Sequence, residues 1–223
     1  MMKTTDKIDK AIRILEDAKA TLLSDDQQHR PLLNRRVCVA VGHSRPKDLG
    51  ALAADGQTYE HGWNIVVGRH LVEHLEALGC EVLFLYQYGE AHHSYLSYGA
   101  AIDWAASRIS SFMAECCVEL HFNAAAHQAS GFETLVATSE KGKQLGGCLQ
   151  SEMEKLFVGE HNRGVKIRQR NERGSGWLYK TPCPAAIVEP FFASNIDSWN
   201  RYKNKREEIA EAYCRALTNY LQG

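Results

Sequence analysis

Apolar residues near the start of the chain return at helical spacing. Ile8, Ile12, Leu15 and Leu22 are separated by Asp, Lys and Glu, which predicts an amphipathic helix over residues 3–23. The polar run SDDQQHRP (24–31) breaks it. From Arg36 the period changes. VCVAV (37–41) predicts a short buried strand, and Trp63, Val67, Leu71, Leu75 and Leu78 line one face of a helix over 59–78 that Gly79 stops. EVLFLY (81–86) predicts a second strand, followed by a helix over 98–115. Strands over 117–122 and 132–138, a helix over 140–157, a basic glycine-containing loop over 158–176, an apolar strand over 185–191 and a closing helix over 198–221 complete the pattern.

Alternating strands and helices define an α/β fold: a mostly parallel central sheet with helices on both faces, plus an N-terminal helical extension. The division is residues 1–35 for the extension and 36–223 for a single catalytic domain, with no internal repeat. The extension either lies against the domain or serves as a partner-binding arm. In such sheets, functional residues gather in loops at the carboxyl ends of strands. Three strand ends carry chemistry-bearing residues: His43 after VCVAV, His121 at the end of VELHFNA, and Glu189 at the end of AAIVEPF.

Composition narrows the function classes. The 223 residues carry 26 Lys plus Arg against 27 Asp plus Glu, a formal net charge of −1. There is no whole-protein basic field for nucleic acid. No apolar run reaches the ~20 residues of a membrane span, so membrane insertion is not expected. The N-terminus has no apolar core of a secretory signal peptide, which places synthesis in the cytoplasm. Seven cysteines, an odd number with no C-x-x-C pair, read as reduced thiols rather than a disulfide framework.

A hydrolytic zinc site takes three protein ligands, usually His with a carboxylate, and needs a nearby carboxylate to move a proton. His43, Glu60, His121 and Glu189 each sit where a strand meets a loop or a loop meets a helix. Taken singly, each is an ordinary polar residue. Glu189 is the least ordinary, because a carboxylate within apolar IVEP is costly to bury unless it is paired or near a metal.

Together these segments resemble the zinc-dependent N-acetylmuramoyl-L-alanine amidases of the type-3 family, which cut bacterial peptidoglycan. VAVGHSRPKDLGA is similar to the family's GH…D.GA segment, and GQTYEHGWN to its glutamate-ligand segment. VELHFNAAAHQASGFETL is similar to S-I-H-x-N-A…G-x-E-T, NRGVK (162–166) to the N-R-G-V-K loop, and PAAIVEPFFASNIDSW to P-A-x-L-V-E-x-x-F-x-S-N. The likeness runs from about residue 36 to 221. It departs after the second strand, where Tyr86-Gln87 and AAIDWAAS replace the family's Thr-Arg and arginine–asparagine patterns.

The resemblance implies Zn²⁺ held by His43, Glu60 and His121, with Glu189 as the catalytic glutamate. Asn123, Glu133, Arg163 and Lys166 would contact the substrate or support the site from behind. The reaction implied is hydrolysis of the amide between MurNAc and L-Ala, and the partner is bacterial peptidoglycan. Because that substrate lies outside the membrane, a phage or prophage endolysin released to the cell wall fits a chain with no signal peptide.

Two alternatives accompany this reading. HLVEH (70–74) matches H-x-x-E-H, so a zinc peptidase would use His70, Glu73 and His74. A non-catalytic cell-wall-binding module could keep the fold, although retention of all four site residues argues against it. His92 and His93 read as a solvated loop pair, and His61 and His127 as non-ligands. The basic stretch of Arg163, Lys166, Arg168, Arg170 and Arg173 is either a solvated face or a strip facing substrate carboxylates. The sequence leaves the oligomeric state open.

Overall fold

The computed structural model describes residues 12–16, 19, 30–44, 48–87 and 97–223. Of the predicted N-terminal helix, residues 12–16 and 19 are helical and exposed, and the rest lies outside the described residues, as do His92 and His93. Six strands, β1 (Arg36–Val41), β2 (Glu81–Leu85), β3 (Cys116–Leu120), β4 (Phe132–Val136), β5 (Asn162–Ile167) and β6 (Ala185–Glu189), form one sheet in the order β2-β1-β3-β6-β4-β5. The helices are α1 (Glu60–Ala77), α2 (Tyr98–Phe112), α3 (Glu140–Leu156), α4 (Ser175–Lys180), α5 (Ile196–Tyr202) and α6 (Arg206–Gln222).

The apolar alternation along each strand builds two cores. Val37, Val39, Val41, Val118, Leu120, Val136 and Val188 meet Trp63, Val67 and Leu71 of α1, Leu145 and Leu149 of α3, and Tyr213 and Leu217 of α6. The opposite parity, Cys38, Ala40, Cys117, Leu135, Ala185 and Ile187, meets Ala101, Ile102 and Ile109 of α2 and Trp177 and Leu178 of α4. Helices therefore cover both faces, and strands buried on both sides read as continuous apolar runs. All seven cysteines are free thiols. Among the described residues, no helix is long and apolar enough to cross a membrane.

Pairing is parallel for β1 with β2, β1 with β3, β3 with β6, and β4 with β5. It is antiparallel for β4 with β6. The chain passes from β3 to β4 without a helix, and a parallel return needs a crossover of a dozen or more residues. The short connection reverses the chain and starts β4 at the end of the sheet where β3 finishes.

Two predicted boundaries change. The basic stretch 158–176 is not wholly loop: Asn162–Ile167 is edge strand β5, half-buried, and α4 begins at Ser175. Its charges and glycine mask a strand that is paired on one side only. The closing helix 198–221 divides into α5 and α6. Asn195 caps α5 by accepting hydrogen bonds from the amides of Asp197 and Ser198. At the junction, the Trp63 indole N–H donates to the Lys203 carbonyl at 3.1 Å, fixing the bend onto α1.

Candidate active site

The site forms where β1, β3 and β6 end on the α2–α4 side of the sheet. After Val41 the chain turns through Gly42, whose amide donates to the Leu120 carbonyl at 2.9 Å. His43 follows in the left-handed region at φ 60°, a conformation that costs a non-glycine residue of order 1 kcal/mol and is held by its surroundings. Gly42 allows β1 to pass beside His121: a Cβ there would lie 2.1 Å from the imidazole Cε1. Gly50, at φ +70°, leaves room for His43 and Glu60, because a Cβ would lie 2.7 Å from His43 Cδ2 and 2.8 Å from Glu60 Cβ.

Glu60 opens α1, where the helix N-terminus favours a carboxylate. Its oxygens accept hydrogen bonds from the Ala51 amide at 3.0 Å and the Phe122 amide at 3.2 Å. The same carboxylate lies 2.8 Å from His121 Nδ1 and 3.3 Å from His43 Nε2. Each histidine turns its second nitrogen to another carboxylate: His43 Nδ1 to Asp48 at 2.9 Å and His121 Nε2 to Glu119 at 3.2 Å. Burial alone would raise the Glu60 carboxyl, but the His121 and His43 imidazoles that face it outweigh this and hold it well below the usual range. Burial alone would lower both histidines. Glu60 raises His43, and Glu119 with Glu60 raises His121.

One ligand atom from each of His43, Glu60 and His121 lies within 4.8 Å of the other two. His43 Nε2 is also buried and makes no hydrogen bond, its 3.3 Å approach to Glu60 being a charge contact only. Two imidazoles and a carboxylate, with an orphaned nitrogen facing inward, fit a zinc-type cation.

Glu189 stands beside this group, since the His121 amide donates to the Val188 carbonyl at 3.1 Å. It is buried, with Oε2 lacking a hydrogen-bond partner, and Oε1 is 4.0 Å from Arg173 Nη2. Burial pushes its carboxyl up to about 7, with Glu60 and Glu133 reinforcing the shift and His121 and Arg173 opposing it. His43, Asp48, Glu119, His121, Arg173 and Glu189 share a cavity of about 240 Å³ with the apolar walls of Ile102 and Trp177.

The remaining sequence candidates divide. Asn123 Nδ2 donates to Glu133 Oε1 at 2.7 Å, and Arg163 Nε donates to Glu133 Oε2 at 2.8 Å. The Arg163 guanidinium also lies over the Phe192 ring, 5.0 Å from its centroid. These three form a chain beside Glu189 and do not line the cavity. Lys166, in register with Leu135, does not line it either. His70 Nδ1 approaches Glu73 at 3.9 Å, and Glu73 is exposed. His74 groups with Glu207 and Glu211 of α6, so H-x-x-E-H does not converge as one ligand set. His61 Nδ1 meets the Gly42 carbonyl at 3.0 Å, and exposed His127 meets the Ser194 carbonyl.

Sequence reasoning missed Asp48, Glu119 and the placement of Arg173. Asp48 lies within the GH…D.GA segment, and Glu119 stands where the resembled motif S-I-H-x-N-A has serine. Strand parity is the signal that would have found Glu119, because residues two apart on β3 share a face.

An α/β sheet whose His–Glu–His group presents both histidines to the cavity that holds a buried glutamate has the donor set and the proton acceptor of a hydrolase-type site. The family comparison is specific: a family model described as N-acetylmuramoyl-L-alanine amidase matches residues 37–219, and the chain belongs to that family of enzymes. Among solved structures, the chain is similar to the CwlD amidase from Clostridioides difficile, a structure in complex with the GerS lipoprotein. Identity is 24%, coverage 85% of this chain and 99% of that one, and the TM-score 0.74. It is also similar to AmiC2 of Nostoc punctiforme (19% identity, 85% and 98% coverage, TM-score 0.69). The catalytic domain of the CD27L endolysin targeting Clostridia difficile gives 24% identity, 83% and 98% coverage and a TM-score of 0.68. No curated protein sequence matches the chain.

Proposed function

We propose that this amidase is zinc-dependent and hydrolyses the amide between the lactyl group of MurNAc and L-Ala in peptidoglycan, with His43, Glu60 and His121 holding the metal. The observation that carries this reading is the shared cavity. It sets His43 and His121, grouped with the buried Glu60, beside a buried glutamate with one unpartnered oxygen. Zinc, when bound, supplies a Lewis acid that acidifies a water and withdraws charge from the scissile carbonyl.

The chain's own residues do the rest. Glu189 accepts the proton of the attacking water and returns it to the departing amine. Burial brings this carboxyl up to about 7 in the metal-free protein, and a cation held beside it would favour the carboxylate that a general base requires. Asp48 accepts from His43 Nδ1 and so leaves Nε2 facing Glu60. Arg173, largely exposed beside Glu189, offers a cation to the carboxylates of stem peptides. Asn123 and Arg163 secure Glu133 and keep its charge from seeking the cavity.

Digestion of purified peptidoglycan tests the reaction. New L-Ala amino termini without new reducing sugar ends, lost in Glu189→Ala and on chelation, are expected. Release of reducing ends instead would overturn the assigned bond. The likeness to the endolysin catalytic domain supports a lytic role at the cell wall. External addition to susceptible cells, read as a fall in turbidity, tests that role separately.

A further inference from the structure

We propose that Glu119 is a positioning residue for the metal site: it accepts the Nε2–H of His121 and thereby assigns His121 Nδ1 to the metal. This rests on the reading of His121 as a ligand. A neutral imidazole carries one N–H, and a ligating nitrogen must carry none, so the partner of the other nitrogen selects the tautomer. The two histidines are arranged alike. His43 Nε2 and His121 Nδ1 both face Glu60, at 3.3 and 2.8 Å. Their outer nitrogens face Asp48 at 2.9 Å and Glu119 at 3.2 Å. Glu60 is itself a ligand in this reading, so a cation would take the place of a proton between it and the inner nitrogens; Asp48 and Glu119 can only accept, which leaves each outer nitrogen to donate.

Glu119 is fitted to this task by the strand that carries it. It lies on β3, two residues before His121 and on the same face, with 7% of its surface exposed. β3 is paired on both sides, to β1 and β6, so its backbone holds the carboxylate in place. The ring is also closed in by Gly42, where a Cβ would overlap it. Glu119 thus fixes both the rotation of the ring and the identity of its free nitrogen. A serine at this position would carry a shorter side chain with its own hydroxyl proton, so the carboxylate is a feature of this chain's site.

The test uses the full-length chain stripped of metal. Glu119→Gln keeps a hydrogen-bond acceptor of the same length, and Glu119→Leu removes it at similar volume. Zinc affinity is measured by competition with a chromophoric chelator, and ligand geometry by the visible spectrum of the Co²⁺ form. Glu119→Leu is expected to lose about 10–100-fold in zinc affinity and to shift the Co²⁺ bands. Glu119→Gln is expected to stay close to the wild type in both. Thermal unfolding of the metal-free variants reports folding on its own, and Glu119→Ala replaces the leucine variant if that one does not fold. Wild-type affinity and spectrum in Glu119→Leu would overturn the proposal, as would equal losses in both variants. If instead His121→Ala binds zinc as tightly as the wild type, the ligand assignment beneath the proposal is what fails.

Discussion

Glu133 and Glu189 are direct register partners on antiparallel strands β4 and β6, and both point to the α2–α4 side of the sheet. Two buried carboxylates side by side repel, and the fold resolves this unequally. Glu133 takes the hydrogen bonds of Asn123 and Arg163. Glu189 keeps one oxygen without a partner and meets Arg173 only at 4.0 Å. Glu133 thus has partners on both oxygens, whereas burial with an unpartnered oxygen disfavours charge on Glu189.

Glu189→Gln removes the exchangeable proton while keeping the shape of the side chain. Amide hydrolysis should fall by roughly 10²–10⁴-fold, the usual span of general acid–base catalysis. Zinc affinity should change little, because the His43, Glu60 and His121 donor atoms are untouched. Steady-state release of L-Ala amino termini, alongside metal titration, checks both halves. A parallel loss of metal would place Glu189 among the ligands instead.

The same carboxyl sets a pH dependence in the metal-free protein. Its folded value of about 7 stands above the ordinary 4.5, so the folded state binds the proton more tightly than the unfolded one. The stability this contributes is full below pH 4.5 and is lost as pH rises through 7. A shift of this size corresponds to on the order of 3 kcal/mol. Glu189→Gln, which does not ionise, should therefore unfold at a higher temperature than the wild type at pH 8, with the gap closing toward pH 4.5. A gap that is constant across this range would show that ionisation of Glu189 does not cause it.

Protons and metal compete for the same nitrogens. Glu60 and Glu119 raise His121, and Glu60 raises His43 against the effect of burial. Zinc binding must expel those protons, so affinity should rise with pH and weaken on acidification. Calorimetric titration near pH 6 in two buffers of different ionisation enthalpy should show net proton release. Identical binding heats in the two buffers would contradict it.

Gly42→Ala places a Cβ 2.1 Å from His121 Cε1, and both residues are held by backbone hydrogen bonds just beyond the strands, Gly42 to Leu120 and His121 to Val188. The ring must rotate or β1 must shift. Overpacking of this kind costs about 1–3 kcal/mol, and metal affinity should fall together with thermal stability. Gly56→Ala, at φ +69°, is the control: nothing lies within 4 Å of its Cβ position. It should cost only backbone strain and leave metal binding intact.

The sequence by itself determined the alternation of strands and helices, since a period of two and a period near 3.6 are local properties of the chain. It also determined which residues end β1, β3 and β6, and so which histidines and glutamates could converge. Tertiary structure decided the rest. The edge strand β5 was hidden in a basic run because one paired side suffices to form it. The direction of β4 followed from a short loop, and it alone brought Glu133 opposite Glu189. Asp48 and Glu119 lie within five residues of their histidines, but their contacts with the outer ring nitrogens, like the approach of Arg173 to Glu189, emerged only in the folded chain. Which nitrogen of each histidine turns inward is set by Glu60, brought to His43 and His121 by packing between segments remote in the chain, and no local pattern of residues encodes that meeting.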